Sequence, residues 1–330
     1  KLTFFCIFFA LKFNQSHAQS IKILSTGTKA SFRGLSVVDD QTIWVSGSNG
    51  TVGKSYDGGE TWKFMTIKNF EKTDFRDIEA FDRMTAIIMG TDCPAYILKT
   101  IDGGETWDIV FKDTTKGMFL DAMEFWNEQS GIVIGDPIEN RFFIARTFDG
   151  GKNWMNIPSQ NRPIADSGEA CFASSGTNIR KLNKKEAIFI SGGIHSNYFI
   201  RDKKYNSNII QGKESTGANS IAVKNSKTFM IVGGDFNKKD DAIQICAFTK
   251  DGGKTWSKTG NTTGYRSCVE YFKKNKWIAC GLNGVDLTDN NGVDFRKISD
   301  VGFHVCRKAK NGKAVYLAGS SGRIGKFINK

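Results

Sequence analysis

Proline, histidine and long apolar runs are scarce in this chain, and each scarcity removes a class of protein. Of 330 residues, four are Pro and three are His (His17, His195 and His304). With 39% of residues hydrophobic, so few prolines argue against a disordered, proline-rich chain. The scattered histidines exclude a His-rich metal centre, and no metal is expected. The seven cysteines contain no C-x-x-C. There is no G-x-S-x-G, and no G-x-G-x-x-G that follows a strand and opens a helix. Dinucleotide and nucleophile-elbow chemistry therefore lack their sequence carriers, and no cofactor is expected. The stretch Asp286 to Gly292 (DLTDNNG) departs from a calcium loop, because its Gly falls one place late and no terminal Glu follows. Basic residues never run to five in a row, although the formal net charge is +12. Lys203-Lys204 and Lys273-Lys274-Asn275-Lys276 read as solvated hairpin turns, and no specific nucleic-acid recognition is expected.

Glycine and phenylalanine, by contrast, are abundant, at 35 and 26 residues. Gly for turns and aromatics for strands suit an all-β protein. The N-terminal stretch Leu2 to Phe13 is apolar except for Lys12, then turns polar and reaches the small-x-small site Ser16-His17-Ala18. It reads as a secretory signal peptide over residues 1–18, clipped at its start and too short to span a membrane. The expected mature chain is then residues 19–330, a single monomeric domain without a transmembrane segment, exported to the periplasm, the cell surface or the medium. Removing Lys1 and Lys12 with the signal lowers the net charge from +12 to +10, which still favours anionic partners. Six cysteines remain. Cys171, Cys268 and Cys306 align at one repeat-equivalent position, where the first repeat has Leu35, and read as small buried strand residues. Cys268 and Cys280 fall close on one hairpin, which leaves a disulfide open.

The organising feature is a repeated turn. Ser55 to Trp62 (SYDGGETW) returns at Thr100 to Trp107, Thr147 to Trp154 and Thr249 to Trp256, and more weakly at Thr288 to Phe295 (TDNNGVDF). A second marker is an apolar run closed by Gly, at Gly47, Gly90, Gly135, Gly192, Gly233, Gly281 and Gly319, spaced 43, 45, 57, 41, 48 and 38 residues apart. Four-stranded units at this period predict a seven-bladed β-propeller of antiparallel blades. The seventh unit lacks a fourth strand, and Ile21 to Leu24 is the unpaired strand that completes it and closes the ring. The fourth unit lacks the turn and carries the largest insertion, around Ser174 to Lys185.

The turn residues have structural work. Asp57, Asp102, Asp149, Asp251 and Asn290 accept backbone N–H groups, and the Gly pair allows positive φ. Trp62, Trp107, Trp154, Trp256 and Phe295 begin the fourth strand and pack between blades. Spread around a rim, these acids cannot converge on a substrate.

The turn pattern resembles the Asp-box (BNR) repeat of sialidases and sortilin-type receptors. The fuller pattern SFRGLSVVDDQTIWVSGSNGTV followed by SYDGGETW is similar to the photosystem II stability and assembly factor-like propellers, a resemblance that covers about residues 21 to 330. It implies the propeller fold and a mouth opposite the Asp turns as the binding end. Aligning first strands on Phe32 puts Arg33, Arg76, Leu120, Glu169, Asn219, Arg266 and His304 around that mouth. Asn49, Asp92, Asp136, His195, Asp235, Asn283 and Ser321 follow the marker glycines behind them. Arginine forks suit carboxylate, sulfate or phosphate. Arg–Asp pairing around a wet channel would place the same residues there. The reading is an exported, non-catalytic binding or assembly module for a protein segment or acidic ligand. Two alternatives stand beside it: a sialidase-type glycoside hydrolase, with Arg33, Arg76 and Arg266 as a triad near Glu169 and Tyr265, and a surface-glycan binder. The FRG and FRD stretches here are not the sialidase FRIP motif.

Overall fold

The computed structural model describes residues 19–24 and 27–329; the expected signal segment lies outside the described residues. Seven antiparallel sheets form a ring. The inner strands are Phe32–Val37, Phe75–Ala80, Leu120–Phe125, Ile179–Lys181, Thr216–Asn225, Cys268–Lys273 and Val305–Lys308, in blades 1 to 7. Each touches the next in chain order and the last touches the first. The N-terminal strand Ser20–Leu24 pairs antiparallel with Ile324–Ile328 as the outer strand of blade 7, so both chain ends hold one blade.

Four of the marker glycines, Gly47, Gly135, Gly233 and Gly281, are set by close approach of a backbone carbonyl rather than by φ. A Cβ on Gly47 would lie 2.2 Å from the Ser31 carbonyl oxygen; on Gly135, 2.3 Å from that of Phe119; on Gly281, 2.2 Å from that of Tyr265. Any side chain here would push the inner strand off its neighbour. Next to this contact the inner strands of blades 1, 2, 3 and 5 carry a one-residue irregularity: register slips between Phe32 and Gly34, Phe75 and Asp77, Leu120 and Ala122, and Ala218 and Ser220. Such bulges re-aim a side chain.

Five Asp or Asn turns share one network. The hydroxyls of Ser55, Thr100, Thr147, Thr249 and Thr288 accept the N–H of the second Gly position at 2.8–2.9 Å and donate to the Asp or Asn side chain. That side chain accepts the N–H four residues on, at 2.9–3.0 Å. These bonds hold the carboxyls of Asp57, Asp149 and Asp251 down at about 2. The second Gly of each turn lies against the preceding blade: Gly59 on Leu24, Gly104 on Met65, Gly151 on Ile87, Gly253 on Tyr198 and Gly292 on Met230. The turns are thus inter-blade struts. Blade 4 replaces the turn with a tight hairpin in which Ile200 pairs Lys203 and Arg201 takes φ 57°.

Two departures matter for function. Blade 5 keeps only the Phe248–Ser257 bridge of a fourth strand, and its sheet gains the short strands Glu169–Ala170 and Gly192–Gly193 from blade 4. Blade 4 also expands its bulge. Ala170 pairs Gly192 and Ile179 pairs Phe189, so eight residues, 171–178, face two on the partner strand. The expanded loop crosses the channel. The Ser174 carbonyl accepts from Arg33 of blade 1 at 3.2 Å; the Ser175 hydroxyl reaches Ser267 O of blade 6 at 2.8 Å; Thr177 bonds Ser220 of blade 5 at 2.7 Å. Gly176, at φ 60°, rests on the Asp77 carboxylate of blade 2, where a Cβ would sit 2.4 Å from Oδ1. Cys171 therefore belongs to this plug and not to an inner strand, which corrects the alignment with Leu35. Cys268 does pair with Cys280 across its hairpin, and all six described cysteines are free thiols.

Asp77 is buried beneath the plug and accepts the N–H groups of Ile78 and Met123 at 2.8 Å. Burial pushes its carboxyl up to about 7, against those two bonds and the Arg307 charge, while Glu79 adds to the rise. Folded Asp77 thus holds its proton over a range where the unfolded chain has lost it, and its contribution to stability falls as pH rises from about 4 to about 7. Asp77→Asn removes this dependence. Thermal melts from pH 5 to pH 8 are expected to show the variant gaining about 2 kcal/mol on the wild type across that range; parallel profiles would contradict the assignment.

Candidate ligand-binding mouth

The plug divides the channel into two chambers of different chemistry. On the side of the Asp turns lies a cavity of 280 Å³ lined by Glu79, Glu124, Glu270, Arg180, Arg307 and Lys310. Its charges answer one another. Arg180 stands 3.6 Å from Glu124 and 3.8 Å from Glu270, and Lys310 bonds Glu79 at 2.7 Å. Burial raises the Glu270 carboxyl, with Arg307 and Arg180 opposing.

The opposite mouth holds a cavity of 510 Å³. Its floor is the plug, Ala170 to Ser174. Arg33, Arg76 and His304 line it with Asp136, Asn219, Tyr265 and Ser267, and Phe119, Phe172, Phe236 and Leu282 give it apolar walls. Phe172 of the plug packs edge-on against Phe236, with centroids 5.5 Å apart. Phe236 and Leu282 are 40% and 45% exposed, so the apolar wall continues onto the rim.

The electrostatics are lopsided. Arg76 is paired with Asp74 at 2.9 Å, whereas Arg33 makes no ion pair among the described residues and donates only to the Ser174 carbonyl. Burial and the Arg76 charge lower the pKa of Arg33. Burial, helped by the charges of Arg33, Arg323 and Arg76, holds His304 down to about 3, so its imidazole is neutral and stands 3.4 Å from the Ser31 hydroxyl. The acids are weakened. Asp136 accepts the Cys171 N–H at 2.9 Å, yet burial pushes its carboxyl up to about 6. Asp121, at the bulge of blade 3, is fully buried, and burial together with Asp136 raises it well above the usual range. With its carboxyl at about 6, Asp136 is still mostly ionised at pH 7, so the mouth carries both signs: Arg33 and Arg76 stand with Asp74 and Asp136.

The remaining expected mouth residues lie elsewhere. Arg266 is fully buried, with Nε 2.8 Å from Asp286 and Nη1 2.7 Å from both the Tyr265 carbonyl and Asn283. Its backbone N–H bonds Gly233 O, as that of Phe303 bonds Gly281 O and that of Phe32 bonds Gly319 O. Arg266 thus occupies the place of Phe32, and Ser267 takes the channel-facing place given to Arg33 in blade 1. Leu120 is likewise one residue early: it pairs Gly135 as Phe32 pairs Gly47, which leaves Asp121 at the bulge. Glu169 is buried in blade 4, where it accepts from Ser191, from Asn197 at 2.9 Å and from the Asp166 N–H at 2.7 Å. Asp92 and His195 are exposed outside the cavity, and Asp235 is buried with Oδ1 on the Asn237 N–H at 3.0 Å. Tyr265 donates to Asn219 at 2.7 Å, not to a carboxylate. The insertion itself was read around Ser174 to Lys185, but the structure starts the expanded loop at Cys171, and neither its course across the channel nor the aromatic wall it brings was foreseen.

With this geometry in view, the chain compares with solved propellers. It aligns with a structure described as YCF48 bound to D1 peptide, at TM-score 0.68 and 17% identity, over 94% of this chain and 97% of that one. YCF48 from Cyanidioschyzon merolae gives the same TM-score and identity over 93% and 98%. The WD40 propeller of Doa1 follows at TM-score 0.64 and 12% identity, over 96% and 98%. These likenesses concern the fold. No protein-family model matches the chain, and no curated protein does.

Arg76 and Arg266 separate by stability. Arg266→Ala leaves Asp286 buried without its partner and is expected to cost about 3–5 kcal/mol. Arg76→Ala, in a partly exposed pair, is expected to stay within about 1 kcal/mol. Urea titrations of both variants measure the difference, and comparable losses would put Arg266 in the wrong environment.

Proposed function

We propose that the chain is a non-catalytic binding module that holds a protein segment at the plugged mouth, through a carboxylate on Arg33 and Arg76 and an apolar side chain on the Phe172–Phe236–Leu282 wall. The observation that carries this reading is Arg33: a guanidinium that lines a cavity of 510 Å³ and makes no ion pair among the described residues. A floor closed by the plug suits a chain end or a bent loop better than a threaded strand. Apolar walls with a few fixed polar groups are the usual form of such sites. The YCF48 structure bound to D1 peptide supports a peptide ligand for this architecture. Export through residues 1–18 and membership of the repeated turns in the Asp-box class belong to the same reading. The hydrolase alternative is weakened because Arg266 is held by Asp286, Glu169 by Ser191 and Asn197, and Tyr265 by Asn219.

The test is fluorescence anisotropy with a panel of labelled peptides carrying Asp or Glu beside Leu or Phe, each with a Lys-substituted control. The wild type is expected to prefer the acidic peptides, and Arg33→Ala/Arg76→Ala to weaken them at least about tenfold, consistent with loss of charge-assisted bonds. Equal affinity of wild type and double variant for every peptide would remove the reading.

A further inference from the structure

Away from the mouth, three cysteines meet in the core. Cys268 lies on the inner strand of blade 6, Cys280 opposite it on the second strand, and Cys306 on the inner strand of blade 7. All three are fully buried, and their sulfur atoms all lie within 4.8 Å of one another. Cys268 and Cys306 are 3.6 Å apart at sulfur. Leu35, Ile278, Val305 and Leu317 belong to the apolar cluster around them.

We propose that these three sulfurs form a trigonal site for a monovalent soft metal ion, Cu(I), which staples blade 6 to blade 7. Three ligands around one metal at about 2.3 Å stand about 4.0 Å apart, close to the spacing here. The donor set selects the ion. Thiolate sulfur favours Cu(I) and Zn(II) among biological metals. Zinc takes four ligands, and among the described residues no His, Asp or Glu joins the group. The oxygens bonded closest to the group are both neutral: the Cys306 carbonyl, 3.4 Å from the Cys268 sulfur, and the Thr177 hydroxyl, 3.5 Å from it. Three sulfurs in a dry pocket leave Cu(I) three-coordinate, a geometry that zinc does not favour.

Hydrogen bonds already converge on the Cys268 sulfur, from the Cys306 N–H at 3.3 Å and from the Thr177 hydroxyl at 3.5 Å. Copper enters and remains as Cu(I); no electron is transferred, and any proton displaced from sulfur leaves to solvent. Thr177 belongs to the plug, so the loop that floors the mouth also caps the metal site.

The test uses the full-length reduced protein incubated without oxygen with bicinchoninate-buffered Cu(I), then desalted. One copper per chain is expected, with sulfur-only coordination by X-ray absorption, a raised unfolding midpoint, and Cys268, Cys280 and Cys306 protected from alkylation while Cys93 reacts. Cys306→Ser and Cys280→Ser are each expected to weaken Cu(I) binding at least about 100-fold, and Cys246→Ser to leave it unchanged. If a variant fails to fold, coordination and alkylation mapping of the wild type decide alone. Copper well below one per chain, nitrogen or oxygen in its coordination, binding unchanged in both serine variants, or a Cys268–Cys306 disulfide in the isolated protein would each overturn the proposal.

Discussion

The contact that sets the register in blades 1, 3, 5 and 6 is the close approach of a carbonyl at the entry to the inner strand to the glycine that ends the second strand. Ser31 over Gly47, Phe119 over Gly135 and Tyr265 over Gly281 repeat one geometry that no side chain can enter. That approach fixes where these inner strands begin, and the bulge beside it decides which residue turns into the channel. Arg33 and Arg76 face the mouth because they occupy the bulge. Arg266, one place earlier in blade 6, has no choice but burial, and its pairing with Asp286 follows from that. A single residue of register thus separates a candidate ligand group from a structural ion pair.

The plug is the same device enlarged. A bulge of one residue re-aims a side chain; the expanded one in blade 4 sends backbone across the channel. A loop in that position would leave polar backbone stranded in the core, and the structure meets this by bonding it to blades 1, 3 and 5: the Ser174 carbonyl accepts from Arg33, the Cys171 N–H donates to Asp136, and the Thr177 carbonyl accepts the Ile221 N–H. The consequence is two chambers. One holds its three glutamates against Arg180 and Lys310. The other carries an arginine with only a carbonyl to hold, acids pushed toward neutrality, and an aromatic wall that extends to the rim.

Blade number, antiparallel order and closure by the N-terminal strand were legible because they rest on short-range signals: the marker glycines, the Asp turns and the one unpaired strand. The turns also revealed their structural character, since their acids stand around a rim. The mouth was legible only in part. Arg33, Arg76 and His304 follow an aromatic residue in the expected place, and they arrive together. Arg266 follows Tyr265, also an aromatic residue, and so aligns falsely; only the bond from its backbone to Gly233 reveals the shift. Glu169 aligns well but precedes the insertion, which carries the chain away before it can line the channel. Insertions of this kind have no periodicity to read, and the partner strands that capture them are distant in sequence.

The central claim is that ligands meet this propeller at the plugged, arginine-bearing mouth and nowhere along the Asp-turn rim. Hydrogen–deuterium exchange with and without a bound acidic peptide tests this directly. The account predicts slowed exchange at residues 171–178 and in the loops that carry Phe236 and Leu282, with the Asp turns unchanged. Protection confined to the Asp turns or to the outer strands would contradict it.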